Sequence, residues 1–83
     1  MNNVNTHEIN LNTSAFNRFT NSDYIILEAA DIEVNDYILF KQVETLSEGE
    51  VNPTGLYRMT QVKEVIQDPG LKEGYVMIIV QKL

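Results

Sequence analysis

The longest apolar run in the sequence, from Tyr75 to Val80, constrains the fold more than any other feature. Its residues are aromatic, β-branched or aliphatic, which is the composition of a β-strand. A continuous apolar strand has no polar face to turn toward water, so we expect it to be covered on both faces. The run is far shorter than the roughly 20 residues of a membrane-spanning helix. We therefore predict that it forms a central strand of a sheet.

Four further segments have the pattern of strands. Thr6–Leu11 alternates apolar and polar residues, as a half-buried strand does. The segments Tyr24–Leu27 and Tyr37–Glu44 are rich in residues that favour extended backbone. The periodicity of Leu56–Ile66 fits a strand or a helix, and its β-branched residues favour the strand.

A short helix is predicted between the first two strands. Asn12 or Thr13 can cap it by accepting the first free backbone N–H groups. Phe16 and Phe19 then fall on one face at helical spacing, and the helix closes near Asn21. The expected length is about two turns.

Residues typical of turns separate these elements. The clearest predicted loop is Ser47–Gly55, and further turns are expected at Asn35-Asp36, at Asp68–Gly70 and at Lys72–Gly74. Asn35-Asp36 tolerates left-handed backbone, and Gly70 and Gly74 are expected at turn positions that require positive φ rather than in a phosphate-binding loop.

The order β-α-β-β-β-β predicts one mainly β (α+β) domain. Five strands with one short helix after the first strand suggest a small closed or nearly closed barrel, because closure removes exposed sheet edges. Residues 1–5 are polar and are predicted to be a flexible N-terminus, with the single domain spanning residues 6–83. A chain of 83 residues has room for one core.

The composition indicates the cell compartment and excludes some classes of binding partner. The chain has no cysteine and no signal-peptide pattern, so we expect a cytoplasmic protein. Its formal net charge is −6, whereas proteins that bind duplex nucleic acid or anionic membranes usually carry a basic surface. The charge therefore argues against a membrane partner and against strong binding to a duplex.

Several short motifs resemble the PUA-like superfamily, and within it the activating signal cointegrator homology (ASCH) domain, in a small bacterial and phage family of unassigned role. They cover much of residues 6–82 and comprise His7-Glu8-Ile9 with Leu11, Phe16, Asp31, Val34–Ile38 and Gly70–Val76. The resemblance implies a small PUA-like β-barrel that binds RNA or a nucleotide-like ligand in a cleft beside the first helix.

One region departs from that family pattern. Where such families carry a Gly-x-Lys segment followed by Glu-x-Arg, the segment Thr20–Glu28 contains no Gly, Lys or Arg. The amidohydrolase activity of ASCH relatives is therefore not expected, and no catalytic residue is assigned. The lone histidine and the absence of cysteine also leave no metal site and no cofactor motif to predict.

Five residues are the candidates for contact with RNA or another ligand: Arg18, Lys41, Arg58, Tyr24 and His7. Arg18 is preferred as the cleft cation because the helix borders the ligand site in the resembled family. Lys41 and Arg58 lie on consecutive strands and are expected to share a face. Tyr24 offers a ring for stacking on an unpaired base, or a rim position with its hydroxyl in water. His7 is either a ligand contact or a structural hydrogen-bonding residue at a strand start.

Two functions of different classes follow. The first is a module that binds RNA or a nucleotide weakly or through an altered site. The second is an acidic protein-interaction or inhibitor domain that has lost nucleic-acid binding and docks on a basic protein partner. The sequence carries no signal for the oligomeric state.

Overall fold

The computed structural model describes residues 4–28, 31–46, 48–67 and 70–83. Its elements are β1 (Thr6–Asn12), α1 (Thr13–Thr20), β2 (Tyr24–Glu28), β3 (Tyr37–Thr45), β4 (Val51–Ile66) and β5 (Tyr75–Lys82). The five strands form one sheet, and the short helix follows the first strand. The predicted class, mainly β with one short helix, is therefore confirmed.

The strand order of the sheet is β1-β3-β4-β5-β2. The pair β1–β3 is parallel, and the pairs β3–β4, β4–β5 and β2–β5 are antiparallel. β5, the apolar run, thus has a partner on each side, which confirms its predicted central position. β1 and β2 stand at the two ends of the order, and α1 joins them along the chain.

The core forms between one face of this sheet and α1. Alternate residues of the central strands are buried because a strand directs successive side chains to opposite faces, as at Ile38 and Phe40 in β3 and at Ile78 in β5. The helix adds Phe16 and Phe19, both buried. The rings of Phe19 and Phe40 lie 4.4 Å apart between centroids at 46°, and this contact fixes the helix against the sheet.

One side chain at each end of α1 forms a hydrogen bond with a backbone group that has no partner within the helix. Asn12 is the N-cap, and its Oδ1 accepts a 2.8 Å hydrogen bond from the backbone N–H of Ala15. At the other end, the Lys82 ammonium donates to the carbonyl of Thr20 at 2.8 Å. In the described ranges no helix, α1 included, is long and apolar enough to cross a membrane.

β4 begins earlier than the sequence predicts. Val51–Gly55 was expected to belong to a loop, yet it is part of β4, and its first three residues pair with the end of β3, with Pro53 opposite Val43. The register then shifts, so that Tyr57 faces Lys41, and Gly55 in this irregularity has φ +91°. The turn residues that suggested a loop therefore serve a bulge within a long hairpin.

Other turn predictions have different outcomes. The turn at Lys72–Gly74 is confirmed by a hydrogen bond from the N–H of Tyr75 to the carbonyl of Lys72 and by φ +87° at Gly74. Asn35 has φ +78°, the left-handed conformation expected there. Ser47 of the predicted loop lies outside the described residues, as do Asp68 and Pro69 of the turn predicted at Asp68–Gly70.

Candidate ligand-binding cleft

A cleft of about 560 Å³ lies between α1 and β2. It is open on one side, and most of its wall is apolar, with single amide, hydroxyl, phenol and guanidinium groups added. The residues that line it are Leu11, Ala15, Arg18, Phe19, Asn21, Ser22, Tyr24, Ile25, Ile26 and Leu27. This α1–β2 cleft lies beside the first helix, where the family resemblance implies a ligand site.

The position of β2 in the sheet opens one of its edges to the cleft. Within the described part of the chain β2 pairs with β5 alone, at the end of the strand order. The N–H of Val80 donates to the carbonyl of Asp23 at 2.9 Å, so Asp23 directs its backbone toward β5. Because backbone direction alternates along a strand, Tyr24 and Ile26 direct their N–H and C=O groups the other way. The cleft therefore offers peptide donors and acceptors as well as apolar surface.

Arg18 and Tyr24, two of the predicted ligand contacts, line this same cleft. Arg18 lies in the last turn of α1, where a cation interacts favourably with the helix dipole. It is the only charged residue in the described part of the cleft wall. Tyr24 is 51% exposed and Ile26 45% exposed, and both are among the residues that line the cleft. Carboxylates predominate in the whole chain, yet none lines the cleft among the described residues.

Lys82 contacts α1 from outside the cleft wall, and it was not among the predicted site residues. Its ammonium binds the last carbonyl of α1, at Thr20, and lies 5.3 Å from the centre of the Phe19 ring. Phe19 in turn lines the cleft. No local pattern in the sequence indicates this role, because Lys82 and Thr20 are brought together only by the pairing of β5 with β2.

His7 lies outside the cleft wall, in a hydrogen-bonded cluster around Asp36. Its Nε2–H donates to Oδ2 of Asp36 at 2.8 Å. The carboxylate, only 2% exposed, also accepts from the backbone N–H groups of Asn5 (3.2 Å) and Glu33 (3.0 Å). These bonds tie Asn5, in the segment predicted to be flexible, and β1 to the turn before β3.

The pKa of Asp36 reflects this cluster. Burial by itself raises the pKa, because it disfavours the charged form, whereas the hydrogen bonds from His7, Glu33 and Asn5 lower it. The net result is a pKa below the ordinary aspartate value. A carboxylate saturated in this way serves the fold, and it gives His7 a structural partner.

Lys41 and Arg58 are not brought to the cleft wall. Lys41 stands opposite Tyr57 and Arg58 opposite Phe40 in the β3–β4 ladder. Neighbouring positions on a strand point to opposite faces, so the register separates the two cations that were expected to share a face. Lys41 instead forms an ion pair with Glu8 of β1, with 3.0 Å between Nζ and Oε1.

The groups in the cleft are suited to binding a ligand. An apolar wall with a half-exposed tyrosine accommodates a planar ring, free peptide groups satisfy the polar edge of that ring, and a guanidinium attracts an anion. Nowhere in residues 4–28, 31–46, 48–67 and 70–83 do three His, Asp or Glu side chains converge on a possible metal position.

Compared with known proteins, the chain matches no family model and shows no significant similarity to a curated protein.

Proposed function

We propose that this chain is a small RNA- or nucleotide-binding module of the PUA-like, ASCH type, and that its ligand occupies the α1–β2 cleft. The observation that carries the proposal is the placement of Arg18 and Tyr24 in one cleft whose described wall holds no carboxylate. A base stacks on the Tyr24 ring and its phosphate meets the Arg18 guanidinium. The ASCH resemblance agrees with this location.

The charge distribution favours weak binding of unpaired nucleotides. A net charge of −6 repels a long polyanion, and one cleft cation neutralises about one phosphate. For a single strand, each neutralised phosphate contributes about −0.7 to the slope of log affinity against log salt. The proposal therefore requires a shallow salt dependence, and stacking supplies much of the affinity.

Fluorescence anisotropy of labelled single-stranded and hairpin RNA tests the proposal. We expect the single strand to bind more tightly than the paired stem, with a slope of about −0.7. Arg18→Ala and Tyr24→Ala each weaken binding, and loss of the stacked ring lowers affinity by about 1 to 3 kcal/mol. Lys63→Ala is the matched control, since Lys63 is an exposed cation of β4 outside the cleft.

Two results would overturn the proposal. One is the absence of binding at low salt, and the other is binding that Lys63→Ala weakens as much as Arg18→Ala. The second would show non-specific attraction between cations and RNA. The fold of each variant is checked by its circular dichroism before titration.

A second candidate function is docking on a basic protein through the tip of the β3–β4 hairpin. Glu44, Glu48 and Glu50 are exposed there, whereas Lys41 further along the hairpin is engaged by Glu8. We expect an arginine-rich peptide to bind this tip, and Glu→Gln at all three positions to abolish binding. Glu64→Gln, an exposed position of β4 away from the tip, is the control. Equal binding by the triple variant would exclude the tip.

A further inference from the structure

Among the residues that the structure describes, the first half of β4 has a partner strand on one side only. β4 spans Val51–Ile66, but its ladder with β5 begins at Thr60. Before that point β4 pairs with β3 alone among the described residues. We call residues 50–58 the hairpin arm. An extended strand with an unpaired edge is a template for another strand, and proteins normally cover or interrupt such an edge.

Hydrogen bonds at both ends of the hairpin arm show which backbone groups face its open edge. The N–H of Leu46 donates to the carbonyl of Glu50, so Glu50 faces β3. The N–H of Leu83 donates to the carbonyl of Met59, so Met59 faces the opposite side. Alternation from each end, on its own side of the bulge at Gly55, shows that Val51 and Tyr57 direct their N–H and C=O groups to the open edge.

The hairpin arm has an exposed apolar side chain near each end and opposite charges at the two ends themselves. Val51 is 54% exposed and Tyr57 68% exposed, unusual values for an aliphatic and an aromatic residue in a strand. Glu50 and Arg58 are exposed as well, and neither forms an ion pair within the described part of the chain. An acid at one end and a base at the other is a self-complementary pattern for an antiparallel partner.

We propose that a second copy of this chain pairs with the hairpin arm, strand to strand and antiparallel, around a two-fold axis at Thr54. In this register Val51 stands opposite Tyr57 of the partner subunit, and Glu50 opposite Arg58 of the partner subunit. Symmetry makes each pair occur twice. An aliphatic–aromatic pair and an opposite-charge pair both stabilise neighbouring antiparallel strands.

The outer pairs favour this register over its neighbours. Val51 and Tyr57 both face the open edge, so each pair exchanges two backbone hydrogen bonds. In this register Gly55 stands opposite Pro53 of the partner subunit, which has no N–H to donate, so the two outer pairs on each side of the axis carry the pairing. A shift by two residues, with the axis at Gly55, would move the missing N–H opposite Tyr57 and would set Arg58 opposite Asn52 of the partner subunit, which removes the charge pair. A two-fold axis between two residues would set backbone groups that face the open edge opposite backbone groups that face β3, and these could not form hydrogen bonds with each other. Thr54 is the axis at which the Val51–Tyr57 pair and the Glu50–Arg58 pair both form.

Sedimentation velocity over a range of protein concentrations tests the proposal. We expect a reversible dimer whose fraction rises with concentration. Arg58→Glu and Glu50→Arg each set like charges opposite one another twice, and each should raise the dimer dissociation constant by about tenfold or more. Lys63→Glu, which makes the same change of charge on β4 away from the arm, should leave the dimer unchanged.

Mixing the two arm variants gives the sharpest outcome. In a dimer of one Arg58→Glu chain with one Glu50→Arg chain, both cross-strand pairs are again of opposite charge. We therefore expect the mixture to dimerise although each variant alone is monomeric at the same concentration. The double variant carries the charge of the natural chain and should dimerise with itself.

The proposal is overturned if sedimentation shows that the natural chain stays monomeric up to millimolar concentration. It is equally overturned by a dimer that both single variants leave intact, or by a mixture that remains monomeric while each variant has the circular dichroism of the natural chain.

Discussion

Nε2 of His7 lies 2.8 Å from Oδ2 of Asp36, and this bond joins the first strand of the sheet to the turn that precedes β3. Asp36 also accepts hydrogen bonds from two backbone N–H groups, so three donors of the fold hold its carboxylate. The protein thus keeps a buried charge at the start of the domain, where it aligns β1 beside β3. The ligand cleft lies elsewhere, between α1 and β2.

Stability should depend on pH through Asp36. Its pKa is lower in the folded chain than in the unfolded chain, so its contribution is fully present above about pH 4 and is lost as pH falls through the lower folded value. Asp36→Asn lacks this contribution at every pH. We expect the variant to be less stable by about 1 to 3 kcal/mol at neutral pH, and the difference to shrink in acid. Urea unfolding at several pH values measures it. A difference that stays constant or grows in acid would contradict this account.

His7 should matter for stability and not for ligand binding. Removing its N–H leaves a buried carboxylate with one hydrogen bond fewer, which costs about 1.5 to 3 kcal/mol. His7→Phe keeps a ring of similar size and removes the donor, so it isolates the hydrogen bond. We expect denaturant unfolding to show the loss, and RNA titration to show no change at temperatures where the variant is folded. Weaker RNA binding by folded His7→Phe would restore His7 as a ligand contact.

Phe19 should be the most costly single truncation of the helix. It is 2% exposed, packs on Phe40 and also forms part of the cleft wall. Phe19→Ala removes about 3 to 5 kcal/mol, from a total of about 4 to 12 kcal/mol for a chain of this length. We expect it to be partly unfolded at room temperature, as seen in its NMR dispersion. Phe19→Leu should lose less than half as much, and a fully stable Phe19→Ala would show that the helix does not depend on this contact.

At Gly55 the chirality of an added side chain should affect stability, whereas its size should not. Its φ is +91°, and a Cβ built there meets no atom within 4 Å, so only backbone strain opposes a side chain. Gly55→Ala should cost about 1 to 2 kcal/mol. A synthetic chain with D-alanine at this position should instead gain about 0.4 to 1 kcal/mol, because the unfolded chain loses freedom without strain in the folded one. Thermal unfolding compares the three chains, and equal loss for both enantiomers would contradict the strain argument.

Local patterns predicted most of the elements correctly. The alternation of Ile9 and Leu11, the cap at Asn12 and the apolar run of β5 each depend on neighbours in sequence, and each was found as expected. The start of β4 was missed because Pro53 and Gly55 are turn residues by local propensity. Their place in β4, with Pro53 paired to β3 and Gly55 in the bulge, depends on the whole hairpin, which local propensity does not encode.

The cleft was only partly predictable for a similar reason. Arg18 and Tyr24 were candidates from the sequence and meet in space because α1 leads directly into β2. Lys82 and Ile26 could not be assigned, since their roles require the knowledge that β2 pairs with β5 at the end of the sheet. The opposite faces of Lys41 and Arg58 likewise follow from a register set by long-range pairing.

The location of the ligand site is tested most directly by amide NMR shifts of the ¹⁵N-labelled chain titrated with a short single-stranded RNA. The account predicts that the largest shifts fall on residues 18–27, including the N–H groups of Tyr24 and Ile26, which face the open edge of β2. Shifts confined to the face that carries Lys41, or no shifts at low salt, would contradict a nucleotide site between α1 and β2.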